Sequence, residues 1–357
     1  MSKSNNKKTV PEGEQLEQLK FNFVLPEREK DYSRAIEFYD LLPKYQHGQT
    51  KSKLVEGQFL PDLIKHWKYR GEEYEVSIVP GRTGVGGIYA YPGAREELIE
   101  DVLRKLAVEG QAYWMRLREE GAGVIYTLYQ IKKELSSRLH SMSVDEIKQG
   151  LFVAGTAKIT VRNKKNPNSV RVFSIFPEIG IKSDERIENE EGKAWAYVQF
   201  SPYVTEAIRA GNTYLINYEQ LMSYKTPLQR WIHRKLALVY RGATMFNPYG
   251  PIKLTTIISE YGRELHKDFR KNVDYVNAAL EKLTQPVQCT NAKGKTEEKK
   301  GILSHFTVKK IYDPKRSNKI IDAEYTLWPS ADFVSDIKKA NYFRKFKELG
   351  EPEKKIP

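Results

Sequence analysis

At 357 residues, with 40% hydrophobic and 29% charged side chains, the chain has the length and composition of a globular protein with room for two domains. Its longest apolar runs fall far short of a membrane span, and the polar start MSKSNNKKTVPEGEQ lacks a signal-peptide core, so a cytoplasmic location is expected. Cys289 is the only cysteine, which excludes an internal disulfide and a cysteine-based zinc site, while a net charge of +13, a pI near 9.4 and 22 tyrosines point to nucleic acid.

Residues 1–20 read as a disordered arm and 27–42 (EREKDYSRAIEFYDLL) as a short helix. The cluster GRTGVGGIYAYPGAR over 81–95 then invites a phosphate-loop reading, which requires G-x-x-x-x-G followed by Lys and Ser or Thr. Gly81 and Gly86 have the spacing, but Gly87 and Ile88 stand where the Lys and hydroxyl belong. Tyr91-Pro92-Gly93 also separates the cluster from the helix whose N-terminus would face the anion. A turn or short hairpin before a helix is the expectation.

Helical periodicity follows. AREELIEDVLRKLAVEG places Leu98, Ile99, Val102, Leu103 and Leu106 on one face, and TLYQIKKELSSRL does so with Leu128, Ile131 and Leu135. Ser143 and Glu146 fit a capping box that opens a third helix, SMSVDEIKQGLFVAG. TAKITVRN and SVRVFSIF alternate as strands around the loop 163–169, and a further strand over 195–200 returns after the acidic stretch KSDERIENEEGK.

The order then repeats. TPLQRWIHRKLALVY carries Leu228, Trp231, Ile232, Leu236 and Leu238 at helical spacing, and IKLTTIISEYG is a short second helix closed by Gly262. HKDFRKNVDYVNAALEKL is a third helix with Phe269, Val273, Val276, Leu280 and Leu283 as its buried stripe. A Lys-rich insertion, QCTNAKGKTEEKK, precedes the hairpin GILSHFTVKKIYDPKRSNKIIDAEYTLW, with its tip over 313–319. Three helices and a basic-tipped hairpin, twice over, predict an α+β fold of two tandem winged helix-turn-helix domains, each a three-helix core with a β-hairpin wing. The expected division is an arm at 1–20, an extension at 21–91, domains at 92–206 and 207–340, and a tail at 341–357.

The stripe of the last helix leaves Lys267, Arg270, Lys271, Asp274 and Tyr275 facing outward. In a major groove Arg270 and Lys271 would donate to guanine, Asn272 would pair with adenine, and His266 or Lys267 would meet phosphate. Lys315 and Arg316 at the hairpin tip are placed to grip backbone or minor groove. In the first half the third helix opens with Asp145 and Glu146, which suit a helix N-terminus but not a phosphate-lined groove. That half is expected to bind backbone through Lys148, Arg162, Lys164, Lys165 and Arg171, or to serve as a protein–protein surface. Arg230, His233, Arg234, Lys235 and Arg241 surround the first helix of the second half, as backbone contacts or as a solvated face.

Catalytic patterns are missing. The six histidines stand singly, with no His-x-His and no Asp-x-Asp, and neither H-E-x-x-H nor G-x-S-x-G occurs. No enzyme activity, metal or cofactor is expected.

The succession YPGAREELIEDVLRKLA, YTLYQIKKELSSRLHSMSVDEIKQGL, a hairpin, TPLQRWIHRKLALVY and a closing TLWPSADFVSDIKKAN resembles plasmid replication initiator (Rep) proteins of the tandem winged-helix type, over residues 90–340. The resemblance implies binding to repeated origin sites (iterons), melting of adjacent AT-rich DNA, and recruitment of the host replicative helicase and initiator. It also implies base reading by the C-terminal unit over 267–282, a wing over 312–319, and an N-terminal unit that contacts backbone or forms a homodimer. The Lys-rich insertion departs from the compact family pattern. A winged-helix transcriptional regulator binding a short operator is the main rival, followed by a metal-dependent nuclease or primase accessory enzyme and an RNA-binding protein.

Overall fold

Tyr32, Ala35, Ile36 and Tyr39 are buried, and they draw the N-terminal stretch into the protein interior. The computed structural model describes residues 31–48, 60–84, 88–115, 121–181, 195–290 and 295–348. The expected arm and the acidic stretch at 182–194 lie outside those residues. Strand β1 (Tyr32–Ala35) is followed at once by helix α1 (Glu37–Leu41). Of the helix expected over 27–42, residues 27–30 lie outside the described residues, 37–41 form a helix, and 32–35 instead take backbone hydrogen bonds from a strand at 214–217. A distant partner here overrides local helical propensity.

β2 (Leu63–Tyr69) and β3 (Glu72–Val79) form a hairpin turned at Arg70 and Gly71, both at positive φ as a two-residue turn requires. The glycine cluster forms the expected short hairpin, β4 (Gly81–Arg82) against β5 (Tyr89–Ala90), with 85–87 outside the described residues. Gly81 has a packing reason: a Cβ there would lie 2.3 Å from the Val153 carbonyl oxygen. Only glycine lets this strand approach the neighbouring helix so closely.

Helix α2 (Ala94–Leu106) buries all five predicted stripe residues and passes through a π-helical turn (Ala107–Gln111) into β6 (Ala112–Met115) and β7 (Gly121–Thr127). Its charged side is buried as well, at Glu96, Glu97, Glu100, Arg104 and Lys105. Thr127 and Gln130 cap each other to start α3 (Leu128–Ser137), and Ser143 and Glu146 do the same for α4 (Val144–Thr156). Next come β8 (Lys158–Asn163), β9 (Asn166–Phe173), β10 (Glu178–Ile181) and β11 (Trp195–Gln199).

The expected first wing is therefore reassigned. β8 and β9 pair with β3 in a sheet of order β2-β3-β8-β9, where Val76 and Ile78 lie opposite Val161 and Ile159 and turn the same face inward. β7 instead pairs with β11, and β11 with β10, in the order β10-β11-β7-β6. The hairpin that follows α4 in the three-helix unit is β10–β11, and its connection lies outside the described residues. The sequence boundary at residue 91 thus falls between strands of one sheet.

The second half begins with α5 (Pro202–Arg209), β12 (Tyr214–Asn217) and α6 (Tyr218–Ser223). Thr226 and Gln229 cap α7 (Pro227–Val239), which leads through β13 (Tyr249–Lys253) into α8 (Leu254–Tyr261) and α9 (Phe269–Thr284). The Lys-rich insertion forms a hairpin of its own, β14 (Val287–Thr290) with β15 (Thr296–Lys299), packed against α6. Then β16 (Leu303–Asp313) and β17 (Arg316–Pro329) run to α10 (Ala331–Glu348), which crosses the boundary expected at 340.

The two halves share one connectivity. With β6, β8–β9 and β14–β15 as insertions, helix, strand, two helices and two strands recur as α2-β7-α3-α4-β10-β11 and as α7-β13-α8-α9-β16-β17. In each, the first strand pairs with the third and the third with the second, β7-β11-β10 and β13-β17-β16. Side chains of both halves belong to one continuous hydrophobic core.

Candidate nucleic-acid interface

Helix α8 stops where Gly262 takes the left-handed conformation, φ 85°, which costs a glycine little. The chain then turns into α9, whose N-cap Asp268 accepts the Arg270 amide at 3.0 Å. Asn272 secures this entry from inside: its Oδ1 accepts the His266 amide and its Nδ2 donates to the His266 carbonyl, each at 2.9 Å. Val273, Val276, Leu280 and Leu283 are buried and Phe269 is half-buried, so Arg270 and Lys271 project outward from the first turn, and Lys267, just before the N-cap, is exposed as well. Tyr275 is half-buried, with the Arg263 guanidinium 3.9 Å from its ring centroid.

The last hairpin is fixed to the helices. The Tyr325 hydroxyl donates to Asn277 Oδ1 at 3.0 Å, and the Thr255 hydroxyl donates to Asp322 Oδ2 at 2.9 Å. Arg270 Nη2 donates to the Asn318 carbonyl oxygen at 3.3 Å, linking the first turn of α9 to the hairpin. Pairing runs to Asp313 and resumes at Arg316, so the turn is tighter than the seven-residue tip expected. Asp313 Oδ1 accepts the Lys315 amide at 2.9 Å, leaving the Lys315 and Arg316 side chains exposed. Lys309, Lys310 and Tyr312 on β16 are exposed as well. Sequence reading did not single them out, although VKKIYDPKRSNK carries the cations along the whole strand end.

The first half presents a different face. Asp145, Glu146, Gln149, Phe152 and Thr156 are the exposed residues along α4, and Lys148 is half-buried. The β4–β5 hairpin covers the end of this helix, with the Arg82 amide donating to Thr156 Oγ1 at 2.7 Å. Arg162, Lys164, Lys165 and Arg171 are exposed but paired: with Glu75 at 3.6 Å, Glu73 at 3.3 Å, Glu72 at 3.9 Å and Glu206 at 3.0 Å. Their charge is locally cancelled, which weakens the backbone-gripping expectation for this sheet.

Two expected DNA contacts are corrected. Arg234 is 5% exposed, with Nη1 2.9 Å from Glu97 and Nη2 2.6 Å from Asp101, so its guanidinium is spent inside the protein. Asn272 is 3% exposed and both ends of its amide bond the His266 backbone, so it is turned inward and does not face a base. Arg230 and His233 are also interior. Burial disfavours the Glu97 carboxylate, but Arg230 and Arg234 outweigh it and hold its pKa below the usual carboxylate range. His233 is driven down to about 3 by burial, with Arg234 and Lys299 adding to the shift. Lys235 pairs with Glu260 and Arg241 with Glu37. Of the cations around α7, Arg230 and Arg234 form a seam with Glu97 and Asp101 of α2, while Lys235 turns to α8 and Arg241 to α1.

Among the described residues no three His, Cys, Asp or Glu side chains group as metal ligands, and no helix is long and apolar enough to cross a membrane. No family model matches the sequence and no curated protein matches it. Solved structures similar to the chain include two of RctB domains. One is a selenomethionine derivative of domains 2 and 3 of RctB, at 10% identity and a TM-score of 0.46, covering 80% of this chain and 95% of that one. The other, also of RctB domains 2–3, aligns at 11% identity and a TM-score of 0.43, covering 80% and 96%.

Proposed function

We propose that the chain is a sequence-specific, double-stranded-DNA-binding replication initiator built on two tandem winged helices. The observation that carries this reading is the doubled connectivity, with its first-third-second strand order, together with exposed Lys267, Arg270 and Lys271 at the start of α9, which Arg270 ties to the hairpin that exposes Lys315 and Arg316. Helix α9 would enter the major groove and read bases through Arg270 and Lys271, while Lys267 and the β16–β17 tip hold phosphate. Lys309 and Lys310 extend that grip along the hairpin.

In this reading the first unit contributes little base recognition, since the outward face of α4 bears carboxylates. The adjoining sheet β2-β3-β8-β9 supplies instead a surface for a homodimer. β9 is an edge strand whose Val172 is 61% exposed, the kind of edge that pairs with another chain unless something covers it. Binding to repeated origin sites (iterons) of a plasmid, local melting and recruitment of host helicase and initiator complete the proposal and rest on the Rep resemblance. The protein acts in the cytoplasm by binding energy, without bond chemistry or cofactor. Copies arrayed on adjacent sites would supply the deformation energy that favours opening nearby base pairs.

Footprinting on the DNA upstream of the chain's own coding sequence, combined with permanganate mapping of unpaired thymines, tests the proposal. Repeated protected sites beside a reactive AT-rich tract support it. A single short protected operator without melting would establish the transcriptional-regulator reading instead.

A further inference from the structure

Residues 31–48 reach both repeats and the elements that join them. β1 pairs with β12 in the connection between the halves. The Tyr32 hydroxyl donates to Asp336 Oδ1 on α10 at 2.8 Å, and Asn217 on β12 donates to the other oxygen at 2.7 Å. Glu37 accepts from the Tyr69 hydroxyl at 2.8 Å and from Arg70 Nη2 at 2.9 Å, both on the β2–β3 hairpin, and from Arg241 just beyond α7. Asp40 accepts from Arg104 on α2 at 2.7 Å.

The contacts continue to the end of the segment. Lys44 lies 3.7 Å from Glu100 of α2, and the Tyr45 hydroxyl bonds the same carboxylate. The Tyr45 carbonyl accepts from Lys65 of β2 at 2.6 Å, and the His47 ring stacks on Tyr261 at the end of α8, 4.5 Å between centroids and 4° from parallel. A tail that merely covered apolar surface would need none of these charges. Buried ion pairs gain little stability over apolar packing, but they are specific about geometry, since a displaced partner leaves an uncompensated charge.

We propose that residues 31–48 are a strap that locks the two repeats in one relative orientation. One set of anchors, Arg70, Arg104, Glu100 and Lys65, belongs to the first half of the fold, and the other, Arg241, Tyr261 and Asp336, to the second. The seam beneath the strap, where Glu97 and Asp101 of α2 meet Arg230 and Arg234 of α7, fixes the same orientation from inside. With the strap in place α4 and α9 meet a partner as one body, so the second contact forms at fixed geometry after the first. That consequence rests on the DNA-binding reading; the lock itself does not.

The test needs no DNA. Spin labels at Lys133→Cys on α3 and Ala278→Cys on α9, both exposed, report the distance between repeats. The native Cys289 is buried and burial pushes its thiol up to about 11, so it stays unlabelled. One narrow distance distribution is expected in the otherwise native chain. Adding Glu37→Ala and Tyr32→Phe should widen it at least roughly twofold with helical circular dichroism unchanged. An unchanged width in that folded variant overturns the strap. Should the variant not fold, hydrogen exchange on the native protein decides: amides of Tyr32–Ala35 should exchange as slowly as those of α2 and α7. Exchange roughly a hundredfold faster in the strap than in those helices would likewise refute the lock.

Discussion

Arg270 and Asn318 lie 48 positions apart, and the guanidinium of the first donates to the backbone carbonyl of the second at 3.3 Å. The same side chain therefore stands at the proposed base-reading position and ties the helix to the hairpin. Arg270→Ala should lower affinity for the cognate site roughly tenfold or more and relax its preference over random duplex. Arg270→Lys should retain nonspecific affinity and lose preference, because an ammonium cannot reproduce the planar fork. Competition titrations with cognate and scrambled duplexes measure both; equal losses on every sequence would reduce Arg270 to a phosphate contact.

Lys315 and Arg316 call for the opposite outcome. Both are exposed at a turn held by Asp313, with no role in the core. Replacing both with Ala should weaken all duplexes evenly and lower the slope of log affinity against log salt by about 2, one counterion per lost phosphate contact. A change in preference between sequences would instead place the hairpin tip on base edges.

Lys164 and Lys165 should behave differently from the second hairpin, because Glu73 and Glu72 face them at 3.3 Å and 3.9 Å. Removing both lysines should change DNA affinity by less than roughly threefold, since a neutralised pair contributes little field. Glu72→Gln with Glu73→Gln should raise nonspecific affinity by unmasking the lysines. Filter binding of the two double variants at one salt concentration checks the pair of expectations.

Many of the helices and their caps were legible because each depends on residues within a few positions. Ser143 with Glu146, Gly262 after Tyr261, and the stripe from Val273 to Leu283 all appear where spacing placed them. What the spacing did not reveal was nonlocal. The alternation of TAKITVRN fits any sheet, and only β3, distant in sequence, decides that it leaves the three-helix unit. Charge on α7 reads as backbone contacts or a solvated face until α2 meets it and Glu97 is buried against Arg234. Asn272 follows Lys271 directly, yet that one position turns it inward to clamp His266.

Arg234 offers a direct check of that seam. Arg234→Met leaves Glu97 and Asp101 buried with one fewer cation, an error that typically costs about 3–5 kcal/mol. Urea unfolding should show the loss, while affinity per folded molecule stays as before. Reduced DNA affinity at undiminished stability would return Arg234 to the interface.

His233 makes stability depend on acid. Burial, first of all, holds its folded pKa at about 3, and His47 is held in the same way at about 4. In the unfolded chain each imidazole takes its proton near pH 6.5, so the unfolded state binds more protons between that value and the folded pKa. Their contribution is complete above pH 6.5 and is lost as pH falls, by about 1.4 kcal/mol per pH unit for each imidazole. Asp101 and Glu219, whose carboxyls burial raises, run in the opposite sense and flatten the total. His233's share is therefore read as a difference. His233→Gln should lower the slope of unfolding free energy against pH by about one proton between pH 4 and 6, measured by urea titration at fixed salt. Identical slopes in the two proteins would mean that His233 is protonated inside the fold, with a partner the buried ring does not show.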